Sequence, residues 1–418
     1  MRATTQATTI LGLVAMVPLL GSIKAKADSP LLQFGNNSLL YVTAEGGFAY
    51  SDNIFASKKR VTDTLATGVI GIHLETGRDS INQFNLVFRE TFQNYIEHDD
   101  MSTQIADAFV SYTFDPKKRL RLGISGSFRQ SAQNDNIIYA VGDIVHRYEL
   151  GANVDLSYQF STKFSFNTGY RYSQEHFEDF RQFFNDREGH SVPISLSYAM
   201  TEKIQAGLSF TYTYSDIHEN ESQSGTGSYW FQDPGTMDQY YFGLNIKGDV
   251  SQRLNVRADV GYSFLQTHGR SYSLDQLGNG TFGAAADDNY TRSNFNFSLN
   301  ANYQVSSRMR LSVIAGRRFQ VGGQAQDLTN TFVNIGTQVS LFSRWHWLLT
   351  ASYAYQDFNK PVDREDHVYS VGTGFSYVAN KYWQLSLGYR FLGVDSKGLH
   401  RFQGYGANLV EFSAKFKY

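Results

Sequence analysis

The sequence predicts an all-β fold: a transmembrane antiparallel up-and-down β-barrel of about 18 strands with both termini in the periplasm. Three observations predict it. Runs of roughly 10 to 14 residues alternate apolar and polar side chains. Short and long connections between those runs take turns along the chain. Aromatic content is high, with 27 Tyr and 32 Phe among 418 residues, against 6 Pro and no Cys. Mean hydropathy is -0.36, and past the N-terminal stretch no window offers the roughly 20 apolar residues that a spanning helix needs. A barrel escapes that test because only alternate residues of each strand meet lipid, so its hydropathy averages to near neutral.

In chain order, residues 1–27 read as an export signal. Arg2 supplies the positive start, Ile10 to Ile23 form an apolar stretch broken by Gly12, Pro18 and Gly21, and Ala25-Lys26-Ala27 fits small-x-small cleavage. Cleavage leaves Asp28 as the first mature residue. Residues 28–37 form a periplasmic lead, and 38–418 the barrel. The absence of Cys removes a disulfide framework and thiol chemistry. A net charge of -2 points to no nucleic-acid partner.

Strand centres fall near residues 44, 70, 87, 108, 124, 153, 168, 195, 209, 245, 259, 298, 313, 335, 350, 373, 387 and 411, an even set as bacterial barrels require. Tight turns are expected at Asp115-Pro116-Lys117-Lys118, Ser161-Thr162-Lys163, Thr201-Glu202-Lys203, Ser251-Gln252, Ser306-Ser307, Ser343-Arg344 and Ala379-Asn380-Lys381. These belong to the periplasmic rim. Longer segments, around 51–64, 131–145, 174–190, 215–237, 267–289 and 357–366, belong to the cell exterior. Trp345, Trp347 and Trp383 follow tight turns, and Tyr112, Phe114, Tyr158, Phe160 and Tyr198 precede them, which suits an aromatic girdle at headgroup depth. In the last strand Val410, Phe412, Ala414, Phe416 and Tyr418 share one face, and Glu411, Ser413, Lys415 and Lys417 the other.

If the apolar face meets lipid, the other parity lines the lumen. Its polar members include Asn153, Asp155, Asn294, Asn296, Asn300 and Asn302. Its basic members are Arg89, Arg119, Arg121, Arg129, Arg147, Lys163, Arg171, Lys247, Arg253, Arg257, Arg308, Arg310, Arg318, Arg390, Lys415 and Lys417. Facing acids are Glu45, Glu75, Asp107, Glu149, Asp155, Asp249, Asp259 and Glu411. The bases outnumber the acids about two to one, which enriches anions in a wet pore. Two readings stay open: an electropositive periplasmic entrance, or bases and acids that satisfy one another across strands. Arg317 and Glu90 fall on lipid-facing parity, a sign of a bulge, a rim position or a shifted register.

The exterior segments carry Asp99, Asp100, Glu175, Glu178, Asp179, Asp216, Glu219, Glu221, Asp287, Asp288, Asp363, Glu365 and Asp366. Such acids bind divalent cations beside lipopolysaccharide or stay solvated. Asn136, Ile137, Ile138 and Tyr139 form an apolar run inside one exterior loop, so this loop is expected either to fold into the lumen as a constriction or to pack on the rim. His73 and His346 point inward, and the other histidines cluster at exterior loops. None sits in H-E-x-x-H or G-x-S-x-G, and Asp287-Asp288-Asn289 lacks calcium-loop spacing. No enzyme activity, metal or cofactor is expected.

Ser51-Asp52-Asn53-Ile54-Phe55 resembles the Asp-x-Asn-hydrophobic-Phe segment of the putative beta-barrel porin 2 family, although here Asn53 follows Asp52 directly. Phe416-x-Tyr418 resembles the ending read by the barrel-assembly machinery, with Ser413 where that signal carries Gly. The family resemblance implies a conduit for export of exopolysaccharide or capsular polysaccharide, with the polymer as cargo and periplasmic export components as partners. A general or anion-preferring diffusion porin is the alternative reading, and a surface structural or adhesion barrel a third. All three place the chain in the outer membrane, among lipid and lipopolysaccharide.

Overall fold

The computed structural model describes residues 30–35, 37–116, 119–133, 145–179, 184–218, 231–232, 235–272, 286–287, 289–321, 327–358, 364–398 and 404–418. The expected export segment 1–27 and the loop run Asn136, Ile137, Ile138 and Tyr139 lie outside them. Among the described residues, 18 long strands of 12 to 17 residues close into one antiparallel barrel. They are β1 Ser38–Ser51, β2 Asp63–Thr76, β3 Asn82–Tyr95, β4 Thr103–Phe114, β5 Leu120–Gln133 and β6 Val145–Gln159. The middle strands are β7 Phe164–Phe177, β8 Arg187–Ala199, β9 Ile204–Ile217, β10 Gly235–Asp249, β11 Leu254–His268 and β12 Tyr290–Ser306. The last six are β13 Met309–Val321, β14 Asp327–Ser340, β15 Trp345–Phe358, β16 Arg364–Val378, β17 Trp383–Gly398 and β18 Tyr405–Lys417. Every expected strand centre falls inside one of them.

Each strand pairs with its sequence neighbours, and β1 pairs with β18 from Thr43↔Lys417 to Ser51↔Leu409. Among the described residues, closure pairs the lateral edges around the barrel, as a chain in hydrocarbon requires, except at two splits toward the exterior, above Asp107↔Arg129 between β4 and β5 and above Phe297↔Arg317 between β12 and β13. Tyr418 and Val42 exchange backbone hydrogen bonds of 2.9 and 2.8 Å at the base of this seam. Phe416 lies opposite Ala44 and 5.2 Å from the Trp383 ring, so the aromatic ending is a structural part of the closure. Below the seam Leu32–Phe34 adds a short strand to β1.

The periplasmic turns repeat one device. The Oγ of Ser161 accepts the backbone N–H groups of Lys163 and Phe164, at 3.2 and 3.0 Å. Thr201 and Ser251 do the same for their turns, and the Asn380 side-chain oxygen accepts from Tyr382 and Trp383 at 2.8 and 3.0 Å. A short polar side chain at the first turn position replaces the ladder bonds that end there. A further turn at 77–81 uses Gly77 at φ +75°, a backbone angle that disfavours any side chain.

Large apolar side chains stand exposed on one parity of every wall, such as Leu244 at 60% and Phe242 at 53%. The opposite parity holds small buried polar residues, including Ser197, Ser263 and Ser376, crowded on the concave side. The apolar parity is therefore the outer wall, with lipid as its cover. Trp345 and Trp383 stand on it just beyond the periplasmic turns.

The exterior has three more connections than the rhythm of the sequence suggested, at 96–102, 322–326 and 399–404. Two expected loop acids, Glu175 and Asp366, belong instead to the inner faces of β7 and β16 and are buried. The strands run farther outward than the charge pattern implied, because arginine partners neutralise both carboxylates.

Candidate functional site: the lumen and the hairpin folded into it

The inner wall of β3 to β8 carries one lateral row of charge. Arg89, Asp107, Arg129, Glu149, Glu175 and Arg187 are successive cross-strand partners. Arg89 and Arg129 reach Asp107 at 3.3 and 3.7 Å. Arg147 reaches Glu175 at 3.4 Å and Glu149 at 3.9 Å, and Arg187 meets Glu175 at 2.5 Å. On this half of the barrel bases and acids satisfy one another, so Arg89, Arg129 and Arg147 add little net positive charge to the pore. Arg121 lies 4.0 Å from Asp115, and Lys415 3.4 Å from Glu45.

Elsewhere the basic residues stand apart from carboxylates. Among the described residues, Arg119, Arg171, Lys247, Arg253, Arg257, Arg308 and Arg310 have no ion-pair partner within 4.0 Å. Arg310 donates to the Gln304 side-chain oxygen at 3.4 Å. Arg390 faces inward on β17. The polar rows are hydrogen-bonded across strands, Asn153 to Ser125 at 3.4 Å, Ser157 to Asn167 at 2.6 Å and Asn167 to Ser195 at 3.3 Å, and along β12, Asn302 to Asn300 at 3.0 Å. Asp155 lies between Gly123 and Gly169.

The largest departure from a plain cylinder lies at β13 and β14. The β12 and β13 strands pair from Ser306↔Met309 only as far as Phe297↔Arg317, although β12 continues alongside β11 to Tyr290. Above that point β13 parts from β12 and turns inward, still paired with β14 from Arg317↔Thr331 to Val321↔Asp327, while β14 stays paired with β15 as far as Leu328↔Phe358. Phe319, which shares a face with lipid-side Val313 and Ala315, is 9% exposed and packs on Ile217, Met237 and Leu265. Those three stand on the inner faces of β9, β10 and β11. Asn294, on the inner face of β12, accepts from Arg317 Nε at 3.2 Å and donates to Thr329 Oγ1 at 3.3 Å. The hairpin has therefore turned inward and laid its outer face against the inner wall. Arg317 has the lipid-side parity read from the sequence, but the strand it rides on has entered the lumen. Arg318, on the other face, sits 5.2 Å over the Phe332 ring, and beside it Asn330 donates to Gln320 at 2.7 Å. Asn296 and Ser263 are buried in this wall and hydrogen-bonded to each other. At Gly316, next to the end of the β12–β13 pairing, a Cβ would lie 3.0 Å from the Phe332 ring and 3.2 Å from the Phe297 carbonyl oxygen.

The Asp52–Phe55 segment lies at the outer mouth of the β1–β18 seam. Asp52 accepts from the Asn408 backbone at 2.6 Å and side chain at 2.8 Å, and pairs with Arg60 at 2.9 Å. Burial opposes ionisation of Asp52, but the Asn408 donors and the Arg60 charge outweigh it and hold its carboxyl below the ordinary value. Asn53 is buried and donates to Gly406 at 3.0 Å and Ser57 at 2.7 Å, while Phe55 meets the His98 ring edge-on at 5.6 Å. The motif residues act as a clasp on the closing seam.

Among the described residues no group of three or more His, Asp and Glu is placed to hold a metal. One side-chain chain was not visible in the sequence: Thr103 Oγ1 lies 3.0 Å from His146 Nε2, and His146 Nδ1 meets Asp179. It stands where β4 and β5 stop pairing above Asp107↔Arg129, and there Gln130 also takes over the Ala106 N–H at 3.0 Å. These contacts close a split wall. A cavity of about 480 Å³ lies on the lipid side, between Ala206, Leu208, Leu244, Ile246, Ala258 and Val260.

A closed antiparallel barrel with an apolar outer wall, aromatic rims and a polar, charged lumen defines the class: an outer-membrane β-barrel of the porin type. The family described as "Putative outer membrane beta-barrel porin, MtrB/PioB" matches residues 127–321, from the upper part of β5 to the end of β13. That match leaves Asp52, Asn53 and Phe55 outside it. No curated protein matches the sequence. Similar solved structures include the closed form of the ferric-catecholate import receptor Fiu from E. coli K12, at 9% identity over 92% of this chain and 82% of that one, with a TM-score of 0.49. OccAB3 from Acinetobacter baumannii shows 10% identity over 91% of this chain and 99% of that one, with a TM-score of 0.42.

Proposed function

We propose that the protein is a diffusion channel for small polar solutes with a preference for anions, and that the β13–β14 hairpin is its constriction. The observation that carries this reading is the hairpin seated on the inner wall by Phe319, Arg317 and Thr329. An 18-stranded cylinder has a backbone radius of roughly 18 Å for strands ~4.8 Å apart and tilted ~40°. Side chains alone do not fill such a bore. A hairpin one sheet spacing off the wall, ~10 Å, narrows it from one side and leaves a wet passage. The unpaired bases near the periplasmic end favour anions there.

Export of an exopolysaccharide or capsular polysaccharide is the second reading, favoured by the hydrogen-bonded Asn and Ser rows, which suit sugar hydroxyls. A polymer would have to pass the hairpin. Two measurements separate the readings: swelling of proteoliposomes in sugars of increasing size, and surface polysaccharide in a strain lacking the gene. Size-limited swelling with unchanged polysaccharide supports the diffusion channel. Lost surface polymer with periplasmic accumulation supports export, and absence of swelling by any sugar refutes the first reading.

A further inference from the structure

Near the periplasmic mouth the inner wall of β9 to β12 holds an arrangement that works against stability. Lys247 and Arg257 are direct cross-strand partners, and both stand on the lumenal face. Like charges directly opposite each other on a sheet repel and weaken the pairing. Across the barrel the same problem is solved with carboxylates, as Asp107 does between Arg89 and Arg129. Here two carboxylates are near, each two residues along its strand from one of the cations, yet both are engaged elsewhere. Asp249 accepts from Asn255 Nδ2 at 2.8 Å, and Asp259 accepts from Ser209 Oγ at 2.9 Å. Among the described residues neither cation has a carboxylate within the 4.0 Å of an ion pair.

The row continues into neutral donors on both sides. Gln205 is the partner of Lys247 on β9, and Asn300 the partner of Arg257 on β12. An amide, an ammonium, a guanidinium and a second amide thus lie side by side, with adjacent Cα atoms about 5 Å apart. That spacing lets one oxyanion accept from both cations, the guanidinium offering a planar fork and the ammonium a movable point charge. Arg253, Arg308 and Arg310 lie at the mouth below, where their field draws anions toward the row.

We propose that Gln205, Lys247, Arg257 and Asn300 form a binding site for an oxyanion group, phosphate or carboxylate, borne by a solute in the lumen. The anion supplies the negative charge that the wall withholds. The site deepens the channel reading and rests on it only for how the solute arrives.

Binding and conduction are therefore measured separately. Inorganic phosphate and glucuronate are titrated calorimetrically against the folded barrel in detergent, beside a planar-bilayer recording of the same preparation. Saturable binding is expected for the wild type. Lys247→Glu gives Arg257 an ion-pair partner and so protects the fold; it is expected to weaken binding at least tenfold, and Lys247→Arg to retain it. Preference for glucuronate identifies a uronate-bearing sugar, and preference for phosphate a phosphate ester. No saturable binding to the wild type, or equal binding by Lys247→Glu, overturns the site. Saturable binding without conductance refutes the channel reading and leaves the site standing.

Discussion

Phe319→Ala is expected to release the β13–β14 hairpin from the inner wall. Phe319 is 9% exposed and packs on Ile217, Met237 and Leu265, so its truncation removes nearly the whole apolar contact of that face. Truncating a buried Phe costs about 3–5 kcal/mol. The remaining side-chain contacts to that wall, Arg317 and Thr329 with Asn294, add only about 1 kcal/mol each, and the hairpin then moves about its intact ladder to β15. A loss of ~3 kcal/mol multiplies the released population by about a hundred, at 1.4 kcal/mol per tenfold. Strand spacing and tilt set the size of the effect. With ~5 Å of side chain inside a backbone radius of ~18 Å, the clear section is about 530 Å², of which the hairpin occupies on the order of 150 Å². Release should raise single-channel conductance by about 1.4-fold where the hairpin is the narrowest section. The assay is planar-bilayer recording of wild type, Phe319→Ala and Asn294→Ala, with heat-shifted gel mobility as the check of folding. Asn294→Ala should give a smaller rise in the frequency of the higher level. An unchanged conductance distribution for folded Phe319→Ala would refute the constriction.

Three further outcomes follow from the same geometry. Leu244→Arg places a charge on the exposed outer wall and should destabilise the bilayer-inserted barrel by about 2–4 kcal/mol in reversible denaturant unfolding; a change below ~0.5 kcal/mol would contradict the assignment of the outer face. Glu175→Ala leaves Arg147 and Arg187 on the inner wall without their shared carboxylate. Breaking a buried ion pair costs about 3–5 kcal/mol, and an unaltered unfolding midpoint would show that the row is not buried. Asp52→Asn should loosen the clasp at the β1–β18 seam. Because the folded Asp52 carboxyl lies below its ordinary value, its contribution is present at neutral pH and down to the ordinary carboxylate range, and it is lost as pH falls through the folded value. The mutant should therefore show less acid sensitivity than the wild type, read as gel mobility after incubation between neutral and strongly acidic pH.

Most of the barrel was legible because lipid imposes a simple rule on sequence. A strand with lipid on one face must alternate, and an edge left open in hydrocarbon is costly, so parity alone placed Val410 and Phe412 outside and Asn153, Asn300 and Arg257 inside. Turn chemistry reinforced the register, since Ser161, Thr201, Ser251 and Asn380 each stand where a side-chain acceptor must replace a backbone one. The in-turned hairpin was hidden for the same reason that the strands were visible. Its parity never breaks, so Phe319 reads as one more lipid-facing aromatic, and Arg317 was the sole local sign of trouble. The segment 322–326 is no longer than a periplasmic turn, which gave no hint that an exterior connection lies there. Glu175 looked like a loop acid because the arginines that compensate it, Arg147 and Arg187, stand on neighbouring strands; Asp366 pairs with Arg364 of its own strand, but the burial of that pair is set by the strands on either side. Asp52 and Asn53 were noticeable as a motif, but their partners Asn408 and Gly406 lie at the far end of the chain.

The central claim, that a wet and anion-leaning lumen runs through this barrel, is tested most directly by ion conduction across a bilayer under a salt gradient. Folded wild-type protein in a planar bilayer with a tenfold potassium chloride gradient should produce discrete conductance steps and a reversal potential displaced toward that of chloride. Folded protein that inserts without any steps, or a reversal potential at that of potassium, would contradict the account.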